Sequence, residues 1–240
     1  MEETQEQETR PKRLSGWQRG LLELAVLALV IFGARSTIAD WNHVPSGSMQ
    51  PTLLIGDVIW VNRLAYDLKV PFTHWHLAEW DAPERGDVVV FDAPHNGMRM
   101  VKRVVGLPGD SVAMRDNRVF VNGEALAYAP APAAEGAPLT TAEREGSLFA
   151  YEQLGDVEHL VMVAREPTPR SSFAPVEVPE GQYLLLGDNR DNSGDSRFFG
   201  FVDRARILGR ATRVILSLDP DAWYLPRGDR WIEPLEPAAG

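Results

Sequence analysis

The stretch Pro45-Ser46-Gly47-Ser48-Met49-Gln50-Pro51-Thr52-Leu53 sets a serine between a glycine and a methionine, just after an apolar N-terminal segment. Such a serine is a candidate exposed nucleophile. A hydroxyl is a weak nucleophile at its free pKa and needs a base within hydrogen-bond reach. A second stretch, from Arg99 to Asp110, carries Lys102 inside a strand-like apolar run, and a third, from Gly187 to Arg197, is crowded with Asx, Gly and Ser. The chemistry these types allow together is acyl transfer by a serine activated by a lysine.

The usual base would be histidine, and the chain has five: His43, His74, His76, His95 and His159. None sits in a block with the small residues and turns of a built site. His43 is near Ser48 in sequence, but an extended chain carries it away. Lys102 is the better base. On a strand Met100, Lys102 and Val104 share one face while Val101, Arg103 and Val105 share the other. One of the two adjacent cations is therefore expected in an apolar environment and the other in solvent. Burial is what the reaction requires, because bringing a lysine from ~10.4 to ~7.5 takes about 4 kcal/mol against its ammonium form. Arg103 cannot take that role, since guanidinium stays protonated.

Ser46 lies two residues before Ser48 and, on an extended strand, projects from the same side. Its hydroxyl and the Ser48 N–H make a candidate oxyanion hole. In the third block Ser193 is placed to hydrogen-bond a lysine amine, and Asp195 and Arg197, two apart and opposite in charge, suit a structural ion pair. A calcium loop fits this block poorly. The bidentate Glu at the twelfth position is missing, and Arg190 and Arg197 intrude.

The elements that must position these groups read mostly as strands. Asp57–Val61, Asp87–Phe91, Arg99–Val105, Gln182–Leu186 and Ile207–Leu216 are the strongest, with Asp87–Phe91 expected at the centre of a sheet. Ser111–Ala113 and Arg118–Val121 predict a hairpin turning on Asp116-Asn117, and Asn122-Gly123 a second tight turn. Residues 129–138, rich in Ala, Pro and Gly, suit an exposed connection. Beyond them, to Glu177, the charges read as a solvated surface. The tail from Asp219 is expected to pack irregularly.

The run Leu21–Ala34 is apolar apart from Glu23, and Arg10, Lys12, Arg13 and Arg19 precede it. A membrane anchor with a cytoplasmic N-terminus is the expectation. A buried soluble helix and a cleavable signal ending at Thr37-Ile38-Ala39 remain alternatives. A chain of 240 residues with net charge -10 and no cysteine excludes thiol chemistry and disulfides and gives no reason to expect nucleic acid as a partner.

The three blocks resemble, in order and spacing, signature regions of the bacterial type I signal peptidases, and Arg85–Phe91 resembles a fourth. That resemblance implies a mainly β fold: an antiparallel catalytic core with a β-rich insertion, preceded by one transmembrane helix. The corresponding divisions are a cytoplasmic tail 1–19, an anchor 20–39, core 40–110, insertion 111–177, and core plus tail 178–240. It implies Ser48 as nucleophile, Lys102 as general base, Ser46 as oxyanion donor and Ser193 as the residue orienting Lys102, with Asp195 and Arg197 bracing the site. Val44, Met49, Val90 and Val101 would line substrate pockets, and Phe91 and Leu185 would desolvate the lysine. No cofactor or metal is implied. The expected partners are signal-bearing preproteins and membrane lipid, at the outer side of a bacterial inner membrane. A Ser/Lys self-cleaving protease and a non-catalytic anchored β-domain that binds export machinery are the rival readings.

Overall fold

Helix and sheet meet almost without a linker at the start of the chain. In the computed structural model Gly16–Thr37 is helical, and Ala39–His43 is already a strand of the main sheet. The structure describes residues 15–70, 73, 75–132, 139–166, 168–228 and 230–235. Residues 1–14 of the expected tail, His74, and residues 133–138 of the Ala/Pro/Gly connection lie outside them. Among the described residues, no helix is long and apolar enough to cross a membrane. Nor is the first helix the core of a soluble domain, since Trp17, Leu21, Leu22, Leu24, Val26, Leu27 and Ile31 are all exposed.

The main sheet is antiparallel and runs, strand by strand, Ala39–His43, Asp57–Asn62, Ile207–Asp219, Val88–Asp92, Arg99–Gly106, Gln182–Leu186, Val202–Asp203. Val88–Asp92 is central, as its unbroken β-branched run suggests. Val88 and Val90 enter one apolar cluster with Val44, Met49, Ile59 and Val61, while Val89 and Phe91 enter another with Val104, Leu185 and Ile207. A strand covered on both faces needs no polar alternation. The long Ile207–Asp219 strand slips register against both neighbours, as a strand with bulges does.

The segment expected as an insertion supplies two smaller sheets. Ser111–Arg115 and Arg118–Val121 form the expected hairpin, with Asp116 and Asn117 at φ 49° and 61°, the paired left-handed geometry of a type I′ turn. Glu124–Ala125 and Phe173–Glu177 extend that sheet to four strands. Ala127–Pro130, Ser147–Leu154 and Val157–Ala164 form the other. The solvated surface expected there is corrected in one respect, because Glu152 is fully buried and His159 nearly so. The C-terminal tail is less irregular than expected, since Leu225–Pro226 and Glu233–Pro234 pair with the Ile207–Asp219 strand.

Candidate active site

Ser48 is held in a single 3-10 turn, Gly47–Met49, and not on the extended strand the sequence suggested. The turn is closed by Gln50 N–H donating to the Gly47 carbonyl at 3.1 Å, and Leu53 N–H donates to the Met49 carbonyl at 2.9 Å. Buried Met49 and Leu53 pin it to the sheet below, where Val44, Val88 and Val90 pack against them. The serine itself stays half-buried at the mouth of a cleft.

Lys102 reaches that turn from the middle of the Arg99–Gly106 strand. Its Nζ lies 2.7 Å from Ser48 Oγ and donates to its neighbour's carbonyl, Val101 O, at 2.8 Å. Lys102 pairs across the sheet with Val89, and the flanking pairs on that face are Phe91 with Met100 and Leu185 with Val104. Phe91 and Leu185 are both fully buried, and Lys102 is 2% exposed. Burial pulls its pKa down from 10.5 to about 8, with the charges of Asp195 and Asp188 opposing and Arg197 assisting. Those carboxylates do not restore the ammonium because each is committed elsewhere, Asp195 to Arg197 and Asp188 to Arg103, both at 2.7 Å. The shift amounts to about 3 kcal/mol, comparable to burying one large apolar side chain. The strand can therefore sustain it.

Ser46 Oγ lies 3.4 Å from Ser48 Oγ, so the turn still brings the two hydroxyls to one side. Ser193 does not make the lysine contact expected of it. Its buried hydroxyl has no hydrogen-bond partner, and the Val101 carbonyl takes the amine's second bond instead. Ser193 is nonetheless at the site, wedged against Gly187: a Cβ there would stand 2.3 Å from Ser193 Oγ and 2.4 Å from the Ser48 carbonyl oxygen. Only glycine permits that approach. Asp195 takes two bonds from the Arg197 guanidinium, each 2.7 Å, another from the Arg197 N–H at 3.3 Å, and one from Gly187 N–H at 3.1 Å. Arg197 also donates to the Arg170 carbonyl at 2.8 Å, so the pair ties this loop to the insertion.

A cleft of about 560 Å³ opens beside the two groups, lined among others by Val44, Ser46, Ser48, Met49, Val101, Lys102 and Phe198. Val90 is the exception among the expected pocket residues. It is 1% exposed and supports Val44, Met49 and Val101 from behind without lining the cleft. His43 and His95 also line it, yet the basic group at hydrogen-bond distance from the serine hydroxyl is the lysine.

Several residues that build this site have no role in the sequence reading. Arg103, expected in solvent, is 1% exposed. It grips Asp188 with two bonds of 2.9 and 2.7 Å and donates to the Gly86 carbonyl at 2.7 Å. Thr52 donates to the same aspartate at 2.6 Å, so one carboxylate joins all three blocks. Asn189 N–H donates to the Ser48 carbonyl at 3.2 Å, and its side-chain amide to the Gly47 carbonyl at 3.1 Å. The clustered Asx residues signalled such bonding, though not their targets.

A sequence profile of the family described as signal peptidase, peptidase S26, matches residues 17–216. The signal peptidase I of Pseudomonas fluorescens is 37% identical over 214 residues, which cover 84% of this chain and 73% of that protein. The signal peptidase I of Pseudomonas aeruginosa PAO1 is 37% identical over 218 residues, with coverages of 84% and 73%. Among solved structures, a signal peptidase I from Enterococcus faecalis V583 is 34% identical, covering 55% of this chain and 98% of that one, with a TM-score of 0.35.

Proposed function

The chain belongs to the signal peptidase family, peptidase S26, and from that premise we infer how it works as a serine endopeptidase that removes signal peptides from preproteins. The observation that carries the reading is a buried amine of lowered basicity 2.7 Å from a serine hydroxyl at a cleft mouth. Ser48 Oγ attacks the scissile carbonyl carbon while the neutral Lys102 amine takes its proton. The oxyanion that forms is held by the Ser48 N–H and the Ser46 hydroxyl. The Lys102 ammonium then protonates the departing amine, leaving an ester on Ser48. Lys102, neutral again, draws a proton from water, and the ester is hydrolysed.

Val44, Met49 and Val101 leave room beside Ser48 for small side chains, which suits the Ala-Xaa-Ala pattern at the end of secretory signals. The preprotein is expected to lie as an added strand, read by alternate side chains. Asp195 and Arg197 brace the loop that carries Ser193. We further propose that residues 20–39 anchor the enzyme in a bacterial inner membrane, N-terminus inside and catalytic sheet outside. That rests on the apolar run, the basic residues before it, and the exposure of its described apolar side chains.

The test is cleavage of a signal-bearing preprotein by the purified full-length chain in detergent. Wild type is expected to release the mature protein, and Ser48→Ala and Lys102→Ala are expected to fail while keeping their folded spectra. Processing by Lys102→Ala at the wild-type rate would overturn the assignment of the base.

A further inference from the structure

The insertion contributes Glu152 and His159 to a set of buried ionisable groups that Arg103, Asp188 and Arg190 of the core complete, beside the loop that holds the serine turn. Glu152 accepts two bonds from Arg190, at 2.8 and 2.6 Å, and both residues are fully buried. His159, its partner across the strand pair, stands with Nε2 3.1 Å from Glu152 Oε1 and Nδ1 3.6 Å from Asp188 Oδ1. Tyr128 Oη donates to the other oxygen of Glu152. Burial, then Arg103, holds the imidazole below its ordinary pKa. With His159 neutral, two guanidiniums, Arg103 and Arg190, balance two carboxylates, Asp188 and Glu152.

This cluster touches the reacting groups only through backbone and neighbours. Arg190 Nε donates to the Gly187 carbonyl at 3.2 Å, and Gly187 is the residue whose missing Cβ lets the Ser48 carbonyl approach. Asn189, between Asp188 and Arg190, donates its N–H to that same Ser48 carbonyl at 3.2 Å. The Asp188 carboxylate holds Arg103, the neighbour of Lys102, and its carbonyl accepts from Met162 N–H of the insertion at 2.9 Å. Moving Glu152 moves Arg190, and with it the strip of backbone against which the serine turn is set.

We propose that Glu152 and His159 are positioning residues for the Ser48–Lys102 pair, so that the insertion is part of the catalytic apparatus and not an appended surface. The proposal rests on the reading of Ser48 and Lys102 as nucleophile and base. A purely structural role would change only the fraction of folded enzyme. Positioning changes turnover per folded molecule, because a displaced turn loosens the contact with the amine and admits water to it.

The experiment is a graded series in the full-length chain, Tyr128→Phe, His159→Gln and Glu152→Gln, each assayed on a preprotein whose signal ends Ala-Xaa-Ala. Thermal unfolding fixes the folded fraction. The expected result is a fall in kcat in that order, reaching ten- to a hundredfold for Glu152→Gln, with KM within threefold. The lysine limb of the pH profile, expected near 8 in the wild type, should rise toward the ordinary lysine value. If Glu152→Gln does not fold, the two milder variants still carry the test. Folded variants with wild-type kcat and an unmoved lysine limb would overturn the proposal. Lys102→Ala run alongside separates the two ideas: retained cleavage there breaks the base assignment, whereas lost cleavage there with an indifferent series breaks only this one.

Discussion

Among the described residues two lysines are buried, and only one of them faces a serine. Lys69, in the strand Asp67–Lys69, and Lys102 are 4% and 2% exposed, and burial pulls both from 10.5 to about 8. Lys69 donates to the Ile207 carbonyl and stands 3.6 Å from Asp67, which also binds Arg204 at 2.6 Å and faces His76 at 3.2 Å. Among the described residues, nothing at that amine can give up a proton to useful effect. Lys102 has nearly the same basicity but a hydroxyl at 2.7 Å and a cleft in front of it. Burial sets the proton affinity, and the partner decides whether that affinity does chemistry. The composition sharpens the point: of 24 Lys and Arg residues only Lys12, Lys69 and Lys102 are lysine. Arginine serves wherever a permanent cation is enough.

The contrast is most directly broken by exchanging the amines for apolar groups. Lys102→Met and Ser48→Ala are each expected to lower kcat by on the order of 10³-fold or more. Lys69→Met is expected to stay within threefold of wild type in the same preprotein assay. A large loss in Lys69→Met, with the fold intact, would end the distinction drawn between them. Next in size is Gly187→Ala, for which no counterpart exists at Lys69. Its methyl would meet the Ser48 carbonyl oxygen at 2.4 Å, a backbone atom that must shift. A kcat loss of about a hundredfold with little change in KM is expected from that displacement.

The pH profile tests the comparison more finely. With the base at about 8, kcat/KM should fall about tenfold per pH unit well below that value and level off above it. Lys69→Met should leave this limb in place, and a limb centred near 6.5 would point to a histidine instead. The smallest effect is on stability, where the two lysines should behave alike. Their folded pKa of about 8 lies below the unfolded ~10.4, so between these values the unfolded chain binds more protons and stability rises with pH. Removing either amine should flatten that rise, read as the urea midpoint at pH 8 and at pH 10.

The strands around the site are legible in the sequence because they are short apolar runs of Val, Leu or aromatic residues next to glycines. Val88–Asp92, Arg99–Gly106 and Gln182–Leu186 fall within a residue or so of where the pattern puts them. Ala39–His43 escaped because an edge strand with Asp40, Asn42 and His43 offers neither an apolar run nor clean alternation. Type and company single out Ser48 and Lys102 as candidates, since a hydroxyl among small residues and a lysine among valines are each odd locally. Glu152 and His159 look ordinary within their own strands. What makes them unusual is Arg190 and Asp188, which the chain supplies roughly thirty to forty residues later and which only folding brings near. Arg103 was misplaced for the same reason. Face alternation predicted its direction correctly, but no local rule revealed that a carboxylate waits on that side.

Ile38 alone separates the end of the first helix from the strand that leads to the serine turn. That strand is locked in register with Asp57–Asn62, leaving little slack before Ser48. On the proposed reading, the nucleophile sits at a set height above the helix end, as the jaw of a gauge stands at a set distance from its base. A scissile bond presented nearer or farther than that height is then expected to go uncut, however well its side chains fit.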